Sequence, residues 1–310
     1  DFTNPQTRAW WFSKRQYLLD MGVSGFKTDG GECILSDEVL FSDGSTGKDM
    51  RNRYPQSYVD AYQEFIGQER ITFSRAGYLG AQRSMLYWAG DQLSQWSELQ
   101  AVLKAGLSSA ISGIFWWGFD IAGFAGPMPS KELYIRSYEL GSLVPLMQWH
   151  SEPVGGQFSE LLKSEDLIND RSPWHMGARY SADLLDICKR YSIMRKALQW
   201  YLVREAQVSE QKLQPMMRPL FYEYTSLYCD VEDQYLLGSS LLVAPLLHEG
   251  QTSRSVLIPQ GSWFDLFTQE TLEGPCTIER EYPLGQIGIF LNTKDPEFTR
   301  LQESFGSLCV

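Results

Sequence analysis

Gly25-Phe26-Lys27-Thr28-Asp29-Gly30-Gly31-Glu32 sets two carboxylates where a short β-prone segment runs into glycines. A carboxylate at the C-terminal end of a strand is where barrel enzymes keep their chemistry. The pattern returns in Leu86-Tyr87-Trp88-Ala89-Gly90-Asp91 and again in Gly113-Ile114-Phe115-Trp116-Trp117-Gly118-Phe119-Asp120. Between them, Ile71-Thr72-Phe73-Ser74-Arg75 ends a short strand on a cation. A single strand-end acid often does no more than cap a helix or pair with an arginine. Three in phase, Asp29, Asp91 and Asp120, point to one shared acidic pocket with Arg75 at its mouth. His150 follows Trp149, and taken alone a histidine there is more often structural than functional.

The elements that must position these groups are read from local signals. Asn4 and Pro5 start a helix with Trp11, Leu18 and Met21 near helical spacing, and Gly22 stops it. Residues 34–56 are expected as an ordered loop, followed by a helix from Ser57 to Gly67 carrying Tyr58, Ala61, Tyr62 and Phe65. Trp96, Leu99, Val102, Leu103 and Leu107 form a second helical stripe, and an amphipathic helix runs from Leu133 to Val144, ended by Pro145. Residues 151–176 are expected as a long loop, 181–203 as a long helix, Pro215–Tyr222 as a further buried strand and Asp233–Gly238 as a short helix.

After that the pattern changes. Residues 240–245, 255–259, 261–265 and 287–291 are short strands split by turn residues, with no helices between them. The fold class is therefore α/β: a (β/α)8 TIM barrel over residues 1–238, followed by a small all-β sandwich over 239–310. Barrel-type strands near 23, 71, 86, 114 and 216 number about five against the eight of a closed barrel. The first strands are thus expected upstream of Asp1 or from another chain.

Composition narrows the partners. A net charge of −11 over 310 residues argues against nucleic acid or an anionic membrane and leaves an uncharged substrate. Five cysteines without a CxxC pair read as free thiols of a reducing, cytoplasmic compartment, and three histidines without HxH or HExxH give no metal site. Aromatic residues make up 14% with ten tryptophans, a weak hint of sugar stacking. No apolar run is long enough to span a bilayer, and no signal peptide is expected from this sequence. The opening on Asp1 rather than Met suits a processed chain or a part of a longer one, and a homo-oligomer is compatible with all of this.

GFKTDGGE, YWAGDQ, GFDIAGF, DQYLLGSSLLVAP and LIPQGSWFD, in this order, resemble the segments of glycoside hydrolase family 31, the α-glucosidase and α-xylosidase family. The resemblance covers nearly the whole chain. It implies Asp29 as nucleophile and Asp91 as general acid/base, with Lys27, Arg75, Trp88, Asp120, Phe124 and His150 lining the sugar subsite. It implies a retaining, exo-acting α-glycosidase that takes a terminal α-linked sugar through a covalent glycosyl-aspartate, with no cofactor and a small oligosaccharide or α-glycoside as partner. The chemistry asks for one ionised and one protonated carboxyl group roughly 5 Å apart. Lys27 or Arg75 would keep Asp29 charged, and the wall of Trp88 would help Asp91 hold its proton. Gly30, where the family often has a bulkier residue, would widen the sugar pocket and leaves an α-galactosidase as an alternative. A non-catalytic carbohydrate-binding homologue is the alternative of another class.

Overall fold

The structure, a computed structural model, describes residues 1–84, 86–124, 126–150, 170–224 and 228–309. By internal packing the chain divides into two compact units, Asp1–Trp88 and Ala89–Val310.

The first unit holds three parallel strands, β1 (Gly25–Thr28), β2 (Ile71–Ser74) and β3 (Leu86–Trp88). β1 pairs with β2 from Gly25↔Ile71 to Thr28↔Ser74, and β2 with β3 at Phe73↔Leu86 and Ser74↔Tyr87. Helix α1 (Pro5–Ser13) begins as expected: the Asn4 side chain accepts from the amides of Gln6 and Thr7, and Pro5 needs no partner for an N–H. The helix does not run on to Gly22, however. It breaks after Ser13 and resumes as α2 (Gln16–Asp20), which leaves Met21 exposed and dissolves the expected Trp11-Leu18-Met21 stripe. Residues 34–56 are not all loop, since Thr46 and Asp49 form a reciprocal cap on the short helix α3 (Gly47–Met50). Helix α4 (Tyr54–Ile66) starts one turn earlier than expected because Pro55 suits its first turn, and Gly67 ends it at a positive φ. Phe2, Phe12, Ala61 and Tyr62 form the core under α4, with Trp11, Phe26, Tyr54, Tyr58 and Phe65 around them. Rings on α4 thereby lie against β1 and fix the strand that carries Asp29.

The second unit opens with α5 (Trp96–Ile111), whose Leu99, Val102, Leu103 and Leu107 are buried as their spacing requires. β4 (Trp116–Asp120) and β5 (Leu146–Gln148) are parallel, with Asp120 opposite Gln148. Between them, α6 (Lys131–Gly141) is capped by Ser130 and stops three residues short of the expected end. Of the expected loop 151–176, residues 151–169 lie outside the described residues, and Pro173–Arg179 is helix α7 with Ser172 as its cap. The expected long helix is two, α8 (Ala182–Ala197) and α9 (Gln199–Lys212).

The remaining strands make a six-stranded antiparallel sheet in the order β10-β9-β11-β8-β7-β6. β6 (Met217–Pro219) was expected in the barrel, but it pairs antiparallel with β7 (Tyr235–Leu237), a segment expected as helix. Short buried apolar runs fit either assignment until their partners are known. β8 (Leu241–Ala244) and β11 (Gly288–Asn292) follow expectation, while the two strands expected at 255–265 are one, β9 (Ser253–Asp265). Its partner β10 (Thr271–Glu281) alternates exposed and half-buried positions throughout. Leu236, Leu242, Ala244, Val256, Ile258, Trp263 and Phe290 make the core of the sheet. After β11 comes the short helix α10 (Phe298–Ser304).

One buried ion pair joins α6 to this sheet's loops. Arg136 donates to Glu139 at 2.9 Å and to the carbonyls of Tyr282 and Gln286, while Glu139 accepts from the amide of Gly285 at 2.8 Å. All five cysteines are free, as expected. Among the described residues no helix is long and apolar enough to cross a membrane, and no group of three or more His, Cys, Asp or Glu side chains is arranged to hold a metal ion.

Candidate active site

Asp29 is the first residue after β1, and its side chain is 61% exposed, so the strand presents it to solvent rather than to the core. The Oδ1 atom accepts from the amide of Gly30 at 2.8 Å and lies 3.1 Å from Arg75 Nε. Arg75 holds the matching place after β2. The Tyr58 hydroxyl on α4 donates to the Asp29 carbonyl at 3.0 Å and braces the turn from beneath. Burial, with Tyr62 and Asp29 adding to it, raises the Tyr58 phenol well above its ordinary value, so it remains a donor.

Two glycines shape this turn differently. Gly30 has φ +76° with open space where a Cβ would stand, whereas at Gly31, φ +87°, a Cβ would meet the Tyr58 ring at 2.6 Å. Gly31→Ala is accordingly expected to cost about 2 kcal/mol, from backbone strain and displacement of Tyr58. Denaturant titration checks this, and an unchanged midpoint would contradict it.

Of the two cations expected to serve Asp29, Arg75 does so. Lys27 instead places its ammonium 4.3 Å from the centre of the Trp88 ring and 5.8 Å from that of Phe73. A cation over an aromatic face gains about 0.5–1 kcal/mol at an exposed site, and Lys27 is exposed while the Trp88 beneath it is only 2% exposed. Lys27, Asp29, Arg75 and Trp88 thus come together in the first unit. Glu32, two residues beyond Gly30, joins them: its Oε1 lies 2.6 Å from Arg75 Nη2. Sequence reasoning noticed this carboxylate but gave it no role, because its partner comes from another strand.

Asp91, Asp120, Phe124 and His150 belong to the second unit. Asp91 is exposed after Gly90, which has φ +83°. The residues that follow it are stitched to the turn after β4: Phe124 donates its amide to Gln92 O at 2.8 Å, and Ser94 Oγ donates to Ala122 O at 2.6 Å. Gly123 has to be glycine, because a Cβ there would stand 2.9 Å from the Leu93 backbone. Asp120, the last residue of β4, is buried and accepts from Gln148 Nε2 at 3.0 Å. Phe124 and His150 meet edge to face, ring centres 4.5 Å apart. Gln148 was missed by sequence reasoning, since β5 is three residues long and has no alternating pattern. Also missed were Trp149 and the exposed Trp174, which pack edge to face at 5.2 Å.

The profile for the glycosyl hydrolases family 31 TIM-barrel domain matches residues 1–202, and that for the family's C-terminal domain matches residues 213–294. The chain belongs to glycosyl hydrolase family 31. Its parallel strands are part of the family's TIM-barrel domain and its antiparallel sheet is the domain that follows. The isomaltosyltransferase of Sporosarcina globispora is 38% identical over 94% of this chain and 26% of its own length. The 1,3-alpha-isomaltosidase of Kribbella flavida is 35% identical over 94% of this chain and 40% of its own. A cycloalternan-degrading enzyme from Trueperella pyogenes, solved in complex with a covalent intermediate, superposes with a TM-score of 0.85 at 34% identity, over 94% of this chain and 40% of that one. An alpha-glucosidase of Bacillus thermoamyloliquefaciens and an alpha-xylosidase of Lactiplantibacillus pentosus match at 30%. The chain therefore spans less than half the length of the relatives it matches.

Proposed function

We propose that this chain carries the catalytic carboxylates of a retaining α-glycosidase acting on α-linked gluco-oligosaccharides. The observation that carries the proposal is the setting of Asp29: first after its strand, exposed, and with one oxygen accepting from the Gly30 amide and lying 3.1 Å from Arg75. That leaves Oδ2 to attack. Oδ2 bonds to the anomeric carbon as the glycosidic C–O bond breaks, and Asp91 gives its proton to the departing oxygen. Asp91 then takes a proton from water, or from a sugar hydroxyl acting as acceptor, and the new oxygen displaces Asp29. Asp120 and His150 would hold sugar hydroxyls, contacts that gain strength as the ring flattens. The covalent intermediate of the Trueperella enzyme supports the double displacement.

Two donors remain in view. The names of the relatives from Sporosarcina and Kribbella favour transfer or release of an isomaltosyl unit, and the Trp149–Trp174 pair beside His150 offers aromatic faces for a substrate longer than one sugar. The relatives named for α-glucosidase and α-xylosidase activity favour release of a single terminal sugar.

The test uses the full-length protein containing this chain. Incubation with 5-fluoroglucosyl fluoride should add one sugar, mapped by peptide mass to Asp29. A folded, unlabelled protein, or a label elsewhere, would sink the proposal. Disaccharide rather than glucose from an α-1,3-linked isomaltosyl oligosaccharide decides between the donors.

A further inference from the structure

Arg75 does not serve Asp29 alone. Nε and Nη2 form one edge of the planar guanidinium, the edge that ordinarily meets both oxygens of a single carboxylate. Here that edge is divided. Nε lies 3.1 Å from Asp29 Oδ1, and Nη2 lies 2.6 Å from Glu32 Oε1. The consequence for Asp29 is specific: Oδ1 accepts from the Gly30 amide and lies within ion-pair distance of Arg75 without an aligned Nε hydrogen bond, while Oδ2 takes no hydrogen bond among the described residues.

We propose that Glu32 is a positioning residue that occupies Nη2 of Arg75 and so prevents the guanidinium from closing over both oxygens of Asp29. The proposal rests on Asp29 being the nucleophile. A carboxylate held bidentate by arginine has its charge drawn off and both oxygens turned toward the partner, which opposes attack on carbon. Shared with Glu32, the same guanidinium orients Asp29 and leaves one oxygen free. Gly30 and Gly31, both at positive φ, give the chain the turn that returns Glu32 to the same arginine. Among the described residues of the first unit, the cluster is also faced by Lys27 from β1, with its ammonium over Trp88, and by the Tyr58 phenol from α4, which donates to the Asp29 carbonyl.

The test compares Glu32→Gln and Glu32→Ala with wild type in the full-length protein. Glu32→Gln keeps an acceptor for Nη2 but removes the charge that offsets Arg75. Its acid limb of kcat/KM should therefore move down by about one pH unit. In Glu32→Ala, Nη2 loses this carboxylate and the Nε–Nη2 edge can close on Asp29. Labelling of Asp29 by the fluorosugar should slow at least about tenfold, with KM for an aryl α-glucoside little changed. Variants that melt like wild type and keep its acid limb and labelling rate would overturn the proposal. So would a loss confined to melting temperature and KM, which would make Glu32 merely structural. Wild type that is never labelled at Asp29 would instead remove the nucleophile assignment, and this inference with it.

Discussion

Asp29→Gly is expected to lower turnover of aryl α-glucosides by about four orders of magnitude, roughly 5 kcal/mol at 1.36 kcal/mol for each tenfold. The proposed reaction gives Asp29 a bond to carbon that no neighbour replaces. Lys27 is over the Trp88 ring, and Glu32 is held by Arg75. The loss should fall on kcat rather than KM, since the groups expected to hold sugar hydroxyls remain. Azide supplied in solution fits the space left by the carboxylate. It should restore part of the turnover with an activated substrate and give a β-glycosyl azide, the configuration reached by one displacement from an α-glycoside. Turnover within about tenfold of wild type without azide would reject the assignment. An azide product of α configuration would reject the double displacement.

Arg136→Ala is expected to cost about 3–5 kcal/mol of stability, the usual penalty for leaving one member of a buried ion pair alone. Arg136 and Glu139 are 2% and 1% exposed, and the same guanidinium serves two carbonyls in the loop between β10 and β11. Burial pushes the Glu139 carboxyl up to about 7, opposed by Arg136 and the Gly285 amide. The sign follows from that direction. The unfolded chain releases this proton near the ordinary value of 4.5 and the folded chain only near 7, so the stability associated with the group is full below the first and is lost as pH rises through the second. Without Arg136 the charged form is less tolerable still. The penalty should therefore be larger at pH 8 than at pH 5.5, and urea titrations at the two values measure it. Glu139→Leu added to Arg136→Ala should recover part of the loss. It cannot recover all, because the carbonyls of Tyr282 and Gln286 lose their donor. Equal penalties at both pH values would show that Glu139 does not carry the effect.

Much of the candidate site was legible because glycine and a carboxylate at the end of an apolar run leave few conformations open. Asp29 and Arg75 directly follow their strands, and Asp120 closes its own. What sequence could not supply was partnership across the fold. Lys27 and Arg75 were equal candidates beside Asp29 until the strand register set one over Trp88 and the other against two carboxylates. Glu32 had no visible reason to matter. The fold failed to read through wherever pairing, rather than local pattern, decides the element. Leu146–Gln148 is a strand because β4 lies beside it, and Tyr235–Leu237 is one because β6 and β8 flank it. β10 was not anticipated at all. Gly274-Pro275 in its middle resembles a turn, yet the long partner β9 carries the chain past it.

That same strand bears on how the molecule behaves when crowded. β10 ends the order of its sheet, and an open rim of amides and carbonyls is an invitation to stacking between molecules. Its exposed row is Thr271, Glu273, Pro275, Thr277, Glu279 and Glu281. Three like charges repel a second rim, and proline offers no amide for an incoming strand to use. The rim is thus guarded against fibre growth by its own sequence, and the protein should stay dispersed at concentrations where a smoother edge would gel.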